Sequence, residues 1–301
     1  MNRSLTRQRT LRRDAATGFL FVAPQMLGFI VFVLIPLIMV FIYSVQNRKL
    51  SSKAYEFIGL DNYEKMFKTK MFWMSLKNTL IFSLLLVPMN LVLALSMALY
   101  LGGEGFGSKY VRAIIFLPVV TSGVAWALVG KYLLQPGTAG PINYALSLLG
   151  IEGPNWLHTE GWAMFAVVVN RVIKNLGSNA LIFTGAVLNM PGELVEAAKI
   201  DGANRWKLLW HIKLPLLMPT ILMVSMVTVI GSMRVFDTIQ LMTEGGPKGS
   251  TMVLVYYIYN QAFNSFKTSY ASALAVVLFV IVLVLTVIQW GMRRRLSHYE
   301  N

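Results

Sequence analysis

The sequence predicts an all-α membrane protein with six spans, and three observations predict it. Of its 301 residues, 56% are hydrophobic and 13% charged, whereas a soluble domain averages about 25% charged. Six apolar runs reach the roughly 20 residues a helix needs to cross hydrocarbon. The cations flank those runs, as membrane orientation requires, and do not gather on one polar domain. That distribution sets aside nucleic acid as a partner, despite a net charge of +14. Cysteine is absent, so disulfides and thiolate metal sites are excluded.

The expected spans are about 18–46, 76–101, 111–134, 162–188, 214–236 and 270–292. They leave a basic segment at 1–17 and one membrane domain over 18–301. The first run follows Arg3, Arg7, Arg9, Arg12 and Arg13, like the basic front of a signal peptide. It is too long for one and lacks a small-residue cleavage site, so an uncleaved first helix is expected. Pro24, Pro36, Pro88 and Pro118 fall within spans, where proline is tolerated and often marks a kink.

Lysine and arginine counts set the orientation. With the N-terminus inside, the inner segments carry 14 and the outer ones 10, and Arg171, Lys174 and Arg234 lie within spans. Seven of the outer ten lie in one loop, 47–77. The balance predicts both termini in the cytoplasm. Outer loops are then 47–75, 135–160 and 237–269, punctuated by Pro and Gly. The Tyr-rich run Met252 to Phe263 is too short to span and is expected as an interfacial helix on the outer side.

The inner loop before the fifth span reads "ELVEAAKIDGANRWKLLWHIKLPLLMP" from Glu193 to Pro219. Pro191 suits a first helical turn, with Asn189 as a cap before it. Glu193 and Glu196 sit in early turns, where the helix dipole favours anions. Ala197 and Ala198 leave room for another surface to approach. Gly202 lets the backbone reverse. Arg205, Trp206, Lys207 and Trp210 make the second helix amphipathic, and Pro215 begins the next span. The pattern fits either an ordinary amphipathic loop or a peg that docks into a partner.

"EAAKIDGANRWKLLWHIKLP" resembles the signature loop of membrane permease subunits in bacterial ABC importers. The family pattern falls on Glu196, Ala197, Ala198, Gly202, Ile212, Leu214 and Pro215 with no departure in spacing. The wider chain resembles the maltose-type carbohydrate branch through "GLDNY" at 59–63, "LKNTLIFS" at 76–83 and "FLPVVTSGVAWAL" at 116–128. Further resemblance lies in "IDGA" at 200–203, which holds Asp201, "TEGGP" at 243–247 and "YIYNQAF" at 257–263. The likeness runs from about residue 19 to the C-terminus.

The resemblance implies a type I importer permease fold in a cell membrane. The loop would be a coupling helix seated in a cytoplasmic ATPase, with Glu196 and Gly202 its most sensitive positions and Asp201 beside them. It implies a second, homologous permease chain, two ATP-binding cassette subunits, an extracytoplasmic solute-binding protein and a carbohydrate cargo. The chain itself lacks the G-x-x-x-x-G-K-[ST] phosphate loop, since Gly130-Lys131 is followed by Tyr132. It is therefore not expected to be the ATP-hydrolysing enzyme. His158, His211 and His298 are far apart, so no metal site is expected, and no cofactor is called for.

The fourth span holds "VVVNRVIKNLGSNAL". On a helix Arg171, Lys174, Asn175 and Ser178 share a face, and Asn170 and Asn179 extend the stripe. Taking the span as 164–188, Lys174 lies about 3 Å along the axis from its midpoint. Ionised groups there cost several kcal/mol unless they face water or partners. The stripe therefore either lines a substrate route or snorkels and pairs with an acid on the companion chain. Asn and Ser suit sugar hydroxyls, while Arg and Lys would suit a carboxylate or phosphate. Arg234 and Asp237, three residues apart, are expected to pair locally at the outer end of span five. The aspartates, Asp237 included, are expected outside the apolar centres. A self-sufficient secondary transporter would call for membrane-buried acids, and a non-transporting receptor would have no use for the stripe.

Overall fold

The computed structural model describes residues 17–48, 55–102 and 108–296. The chain divides into two compact units, 1–66 with 261–276, and 67–260 with 277–301. The basic N-terminal segment lies outside the described residues except for Thr17.

In the first unit, helix α1 (Thr17–Ser44) is a candidate span that turns through a π-helical stretch at Ile30–Leu34. Only Ser44 of this helix is buried, so its apolar surface faces outward along nearly the whole length. A hairpin of β1 (Gln46–Arg48) and β2 (Tyr55–Phe57) follows. Helix α2 (Asp61–Lys68) starts in this unit and ties the end of α1. Asn62 donates to the carbonyls of Ser44 and Gln46 at 2.8 and 2.9 Å, and Tyr63 donates to the Ser44 hydroxyl at 2.8 Å.

The second unit carries the core. Its elements are α3 (Lys70–Leu101), α4 (Ser108–Val120), α5 (Gly123–Leu133), α6 (Pro141–Leu148) and α7 (Trp162–Leu188). They are followed by α8 (Gly192–Ile200), α9 (Arg205–Leu208), α10 (Leu214–Met233), α11 (Asp237–Met242) and α12 (Leu254–Tyr259). The last helix, α13, runs Thr268–Leu296. Helices α3 and α7 pack along their lengths, and α10 lies against both. One cluster joins Phe82, Leu86, Ala127, Val167, Val172 and Ile239. A second is built on small residues, Ala94, Ala98 and Ala180, with Phe183 and Val224. Small side chains bring membrane helices close, where dispersion supplies the attraction that lipid-exposed apolar surface cannot.

Polar side chains bind the same helices internally. Asn90 donates to the Val172 carbonyl at 3.1 Å, and Asn179 reaches Asn90 and the Thr228 hydroxyl. Ser232 donates to Ser83 at 2.7 Å. Outside water, each of these groups would be costly without its partner.

Four described helices are long and apolar enough to cross a membrane: Thr17–Ser44, Lys70–Leu101, Arg205–Met233 and Thr268–Met292. The expected third span is not one rod. Its halves, Tyr110–Val120 and Gly123–Leu133, meet at 108°. Pro118 removes a helical donor, and Ser122 starts a new helix by accepting from Ala125 N at 3.1 Å. Helix α7 has the length of a span, 27 residues, but its polar stripe keeps it out of the apolar set.

Leu254, Tyr256 and Tyr257 of α12, in the run expected as an interfacial helix, are buried, so this helix is packed into the chain. Thr79 accepts from Leu254 N at 2.8 Å, and Asn78 donates to the carbonyls of Gly249 and Met252. Burial pushes the Tyr256 hydroxyl above its ordinary pKa.

The approach of α4 to α7 gives a first test. A Cβ on Gly177 would lie 2.4 Å from the Ile115 carbonyl oxygen, which is rigid backbone. Gly177→Ala is expected to destabilise the chain by about 1–3 kcal/mol through overpacking, read as a lower unfolding midpoint in detergent. Gly185→Ala on the same helix meets nothing within 4 Å and should leave the midpoint in place. Equal midpoints for both variants would refute this packing.

Candidate functional site

Two places carry the chemistry, an exposed elbow at 191–215 and the polar stripe of α7.

The elbow forms as a helix, a glycine break and a second helix. Helix α8 begins at Gly192, with Pro191 at the capping position ahead of it. Asn189 does not cap α8. Its amide donates back to the Gly185 carbonyl at 2.7 Å and so ends α7. Glu193 sits in the first turn of α8 as the dipole favours. Gly202, at φ 77°, closes α8. The Gly202 N–H donates to the Lys199 carbonyl at 3.1 Å and Ala203 N–H to that of Ala198 at 2.9 Å, the paired bonds of a glycine-terminated helix. Asn204 then accepts from Lys207 N at 2.8 Å and starts α9.

The second arm of the elbow does not stop at Pro215. It passes through a π-helical turn at Leu209–Lys213 directly into α10, which carries Pro215 in its first turn. Residues Arg205–Met233 thus form one 29-residue candidate span. No residue of α8 is buried, and Glu196, Ala197, Asp201 and Gly202 are exposed. Ala198 and the apolar Ile212 and Leu214 are half-buried. Leu194, Ile200, Trp206 and Trp210 also lie open, Ile200 at 86% exposure.

The stripe divides between two environments. Asn170 is buried against α5, where its carbonyl accepts from Trp126 Nε1 at 3.0 Å and its amide lies on Gly130. It also lines a cavity of about 280 Å³ with Trp126, Trp156 and Phe165. Asn179 is buried in the Asn90–Thr228 network. Neither therefore extends the Arg171 face, because a helix turns about 100° per residue. Asn175 and Ser178 stay together, with Ser178 donating to the Asn175 carbonyl at 2.9 Å.

The two cations find partners within the chain. Arg171 Nη1 lies 3.5 Å from Asp237 Oδ1. Asp237 Oδ1 also accepts from Thr238 N at 2.9 Å. Lys174 Nζ donates to the carbonyls of Pro118 and Thr121, at the bend between α4 and α5. The expected Arg234–Asp237 pair is replaced by the Arg171–Asp237 pair, and the acid comes from this chain. The Asp237 carboxylate also abuts the start of α5, where a Cβ on Gly123 would fall 2.2 Å from Oδ2. Asp237 thus comes to the Arg171 end of the stripe. Composition alone held no signal for Gly123 or Thr121. Asp237 stood in view just beyond span five, but its partner could not be read from spacing.

Among the described residues, no group of three or more His, Cys, Asp or Glu could hold a metal.

An exposed elbow continuous with a candidate span, a sharply bent helix pair and charges held between helices fit a membrane transport subunit of the type I ABC permease fold. The family of binding-protein-dependent transport system inner membrane components matches residues 90–298, and the chain belongs to it. A probable ABC transporter permease of Bacillus subtilis, YesP, is 33% identical over 99% of this chain and 97% of its own. The trehalose/maltose transport system permease MalF of Thermococcus litoralis is 32% identical, covering 92% and 93%. The crystal structure of a bacterial alginate ABC transporter, in complex with alginate pentasaccharide-bound periplasmic protein, contains a chain of the same fold. It matches with a TM-score of 0.83 at 25% identity, over 96% of this chain and 98% of that one. The protein is a multi-pass membrane permease.

Proposed function

We propose that this chain forms half of the translocation pathway of an ABC importer for a carbohydrate, and that the 191–215 elbow couples it to a cytoplasmic ATPase. On this reading six helices cross the membrane with both termini inside. The bent α4–α5 pair and the polar α7 supply the spans that length and apolar composition do not select. A second permease completes the pathway, two ATP-binding cassette subunits drive it, and an extracytoplasmic binding protein delivers cargo. Relatives that handle trehalose/maltose and alginate support a carbohydrate.

The observation that carries the reading is the elbow. It presents Glu196, Asp201 and Ile200 to its surroundings with nothing of α8 buried, and it is continuous with a span. Leu194, Ile200, Trp206 and Trp210 all lie open on the elbow, and apolar surface concentrated in this way supports a partner that covers it. A force applied there moves α10 as a rigid rod, and α10 packs on α3 and α7. Asn175, Ser178, Arg171 and Lys174 line the route on this reading. Asn170 supports the wall behind it.

Topology provides the test. The chain has no cysteine, so Ala198→Cys gives a single reactive site. In right-side-out vesicles it should resist an impermeant maleimide, and it should react once the inner face is opened and the ATPase subunits are stripped away. The ATPase subunits should co-purify with the native chain and protect that cysteine. Labelling from outside would overturn both the orientation and the coupling role.

A further inference from the structure

The stripe of α7 holds two cations, and at first sight this favours an acidic cargo. The internal partners argue otherwise. Lys174 directs its ammonium at two backbone carbonyls at the end of α4, where the helix carries partial negative charge. Arg171 faces Asp237 at 3.5 Å. The other side of that carboxylate touches the first turn of α5, where the helix dipole is positive. Gly123 is required for this approach, since any Cβ would overlap Oδ2. Arg171 and Asp237 remain partly open, at 22% and 33% side-chain exposure, so their charges reach whatever water or solute lies beside them.

We propose that Asp237 is the built-in counter-ion of the pathway, which cancels Arg171 and makes this face selective for an uncharged carbohydrate. This deepens the importer reading and rests on it. Asp237 occupies the position at Arg171 that a cargo carboxylate or phosphate would otherwise take. An anionic solute gains nothing there and meets a like charge, whereas a neutral sugar retains the Asn175 amide and the Ser178 hydroxyl.

The field can be measured without knowing the cargo. Asn175 lies one turn beyond Arg171, and Asn175→Cys would be the only thiol in this chain. Modification rates of the full chain in its native membrane are compared for an anionic and a cationic methanethiosulfonate, each normalised to a free thiol. The native ratio with Asp237 present is the reference, and the Lys174 charge enters it in every variant alike. Asp237→Asn should raise the anionic-to-cationic ratio about tenfold, the scale of one unit charge acting across a helical turn. Asp237→Glu should keep the native ratio. Arg171→Gln alone should lower it about tenfold by the same Coulomb term, and Arg171→Gln with Asp237→Asn should restore it. A purely structural role would slow both reagents in parallel and leave the ratio fixed. A fixed ratio overturns the proposal, because Lys174 is common to every variant and only the Arg171–Asp237 pair is changed. If neither reagent reacts, the face is closed to water. The pathway reading then falls first, and that outcome differs from a reactive thiol with an unmoved ratio.

Discussion

Glu196→Lys is expected to cut ATP-driven uptake about a hundredfold while leaving the chain folded and inserted. Glu196 is exposed, and its helix buries nothing within the chain. An exposed substitution of this kind usually moves stability by no more than about 0.5 kcal/mol. Its effect therefore has to come from a partner. A charge that is desolvated and paired at an interface costs about 2–5 kcal/mol when the pair is broken, and about 2.7 kcal/mol is a hundredfold. Gly202→Val should act on the same step by another route. It places a β-branched residue at φ 77°, where L-residues are strained by about 1–2 kcal/mol. No neighbour would clash with the added Cβ, so the strain falls on the turn between α8 and α9. The measurement is uptake and ATP hydrolysis in reconstituted vesicles holding the complete complex. Hydrolysis that persists without uptake marks uncoupling. Full uptake in Glu196→Lys would remove the elbow from the coupling mechanism.

Lys174→Met should lower both stability and transport. Methionine keeps most of the side chain's length and removes the donors. The carbonyls of Pro118 and Thr121 then lose their ammonium partner at the break of the expected third span. Pro118 keeps the Thr121 hydroxyl at 2.7 Å, so the cost falls on the Thr121 carbonyl, at most about 1–3 kcal/mol for an acceptor left unpaired. The 108° bend between the two halves of that span loses a tie to α7, and its geometry should loosen. The check pairs a thermal midpoint with uptake at several solute concentrations. A lower midpoint with reduced maximal uptake and unchanged affinity for cargo is expected, because Lys174 is occupied by the backbone. A selective loss of affinity at an unchanged midpoint would instead put Lys174 on the cargo and contradict the carbonyl contacts.

Much of the candidate site could be read from residues alone. The elbow was legible because its signals are local: a glycine at the reversal, acids in the early turns, and a spaced signature with no departures. Its cap was misread, since Asn189 bonds backward to Gly185 and composition does not say which helix end a side chain will serve. The polar face of Arg171, Lys174, Asn175 and Ser178 followed from helical period. Its partners did not. Asp237 lies 66 residues from Arg171, and Thr121 and Pro118 belong to a different span.

Hydrophobic content and spacing determined by themselves that this chain lives in a membrane, that it is helical, and roughly where its long apolar helices lie. Those properties depend on transfer of side chains into lipid and on backbone hydrogen bonds made within one helix. Tertiary structure decided which polar groups are structural and which stay open. Asn179 became mortar between α3, α7 and α10, and Asn170 became a wall against α5. Asp237 met Arg171 through the space left by Gly123. These outcomes turn on a few ångströms between helices far apart in the chain, and only their packing sets those distances.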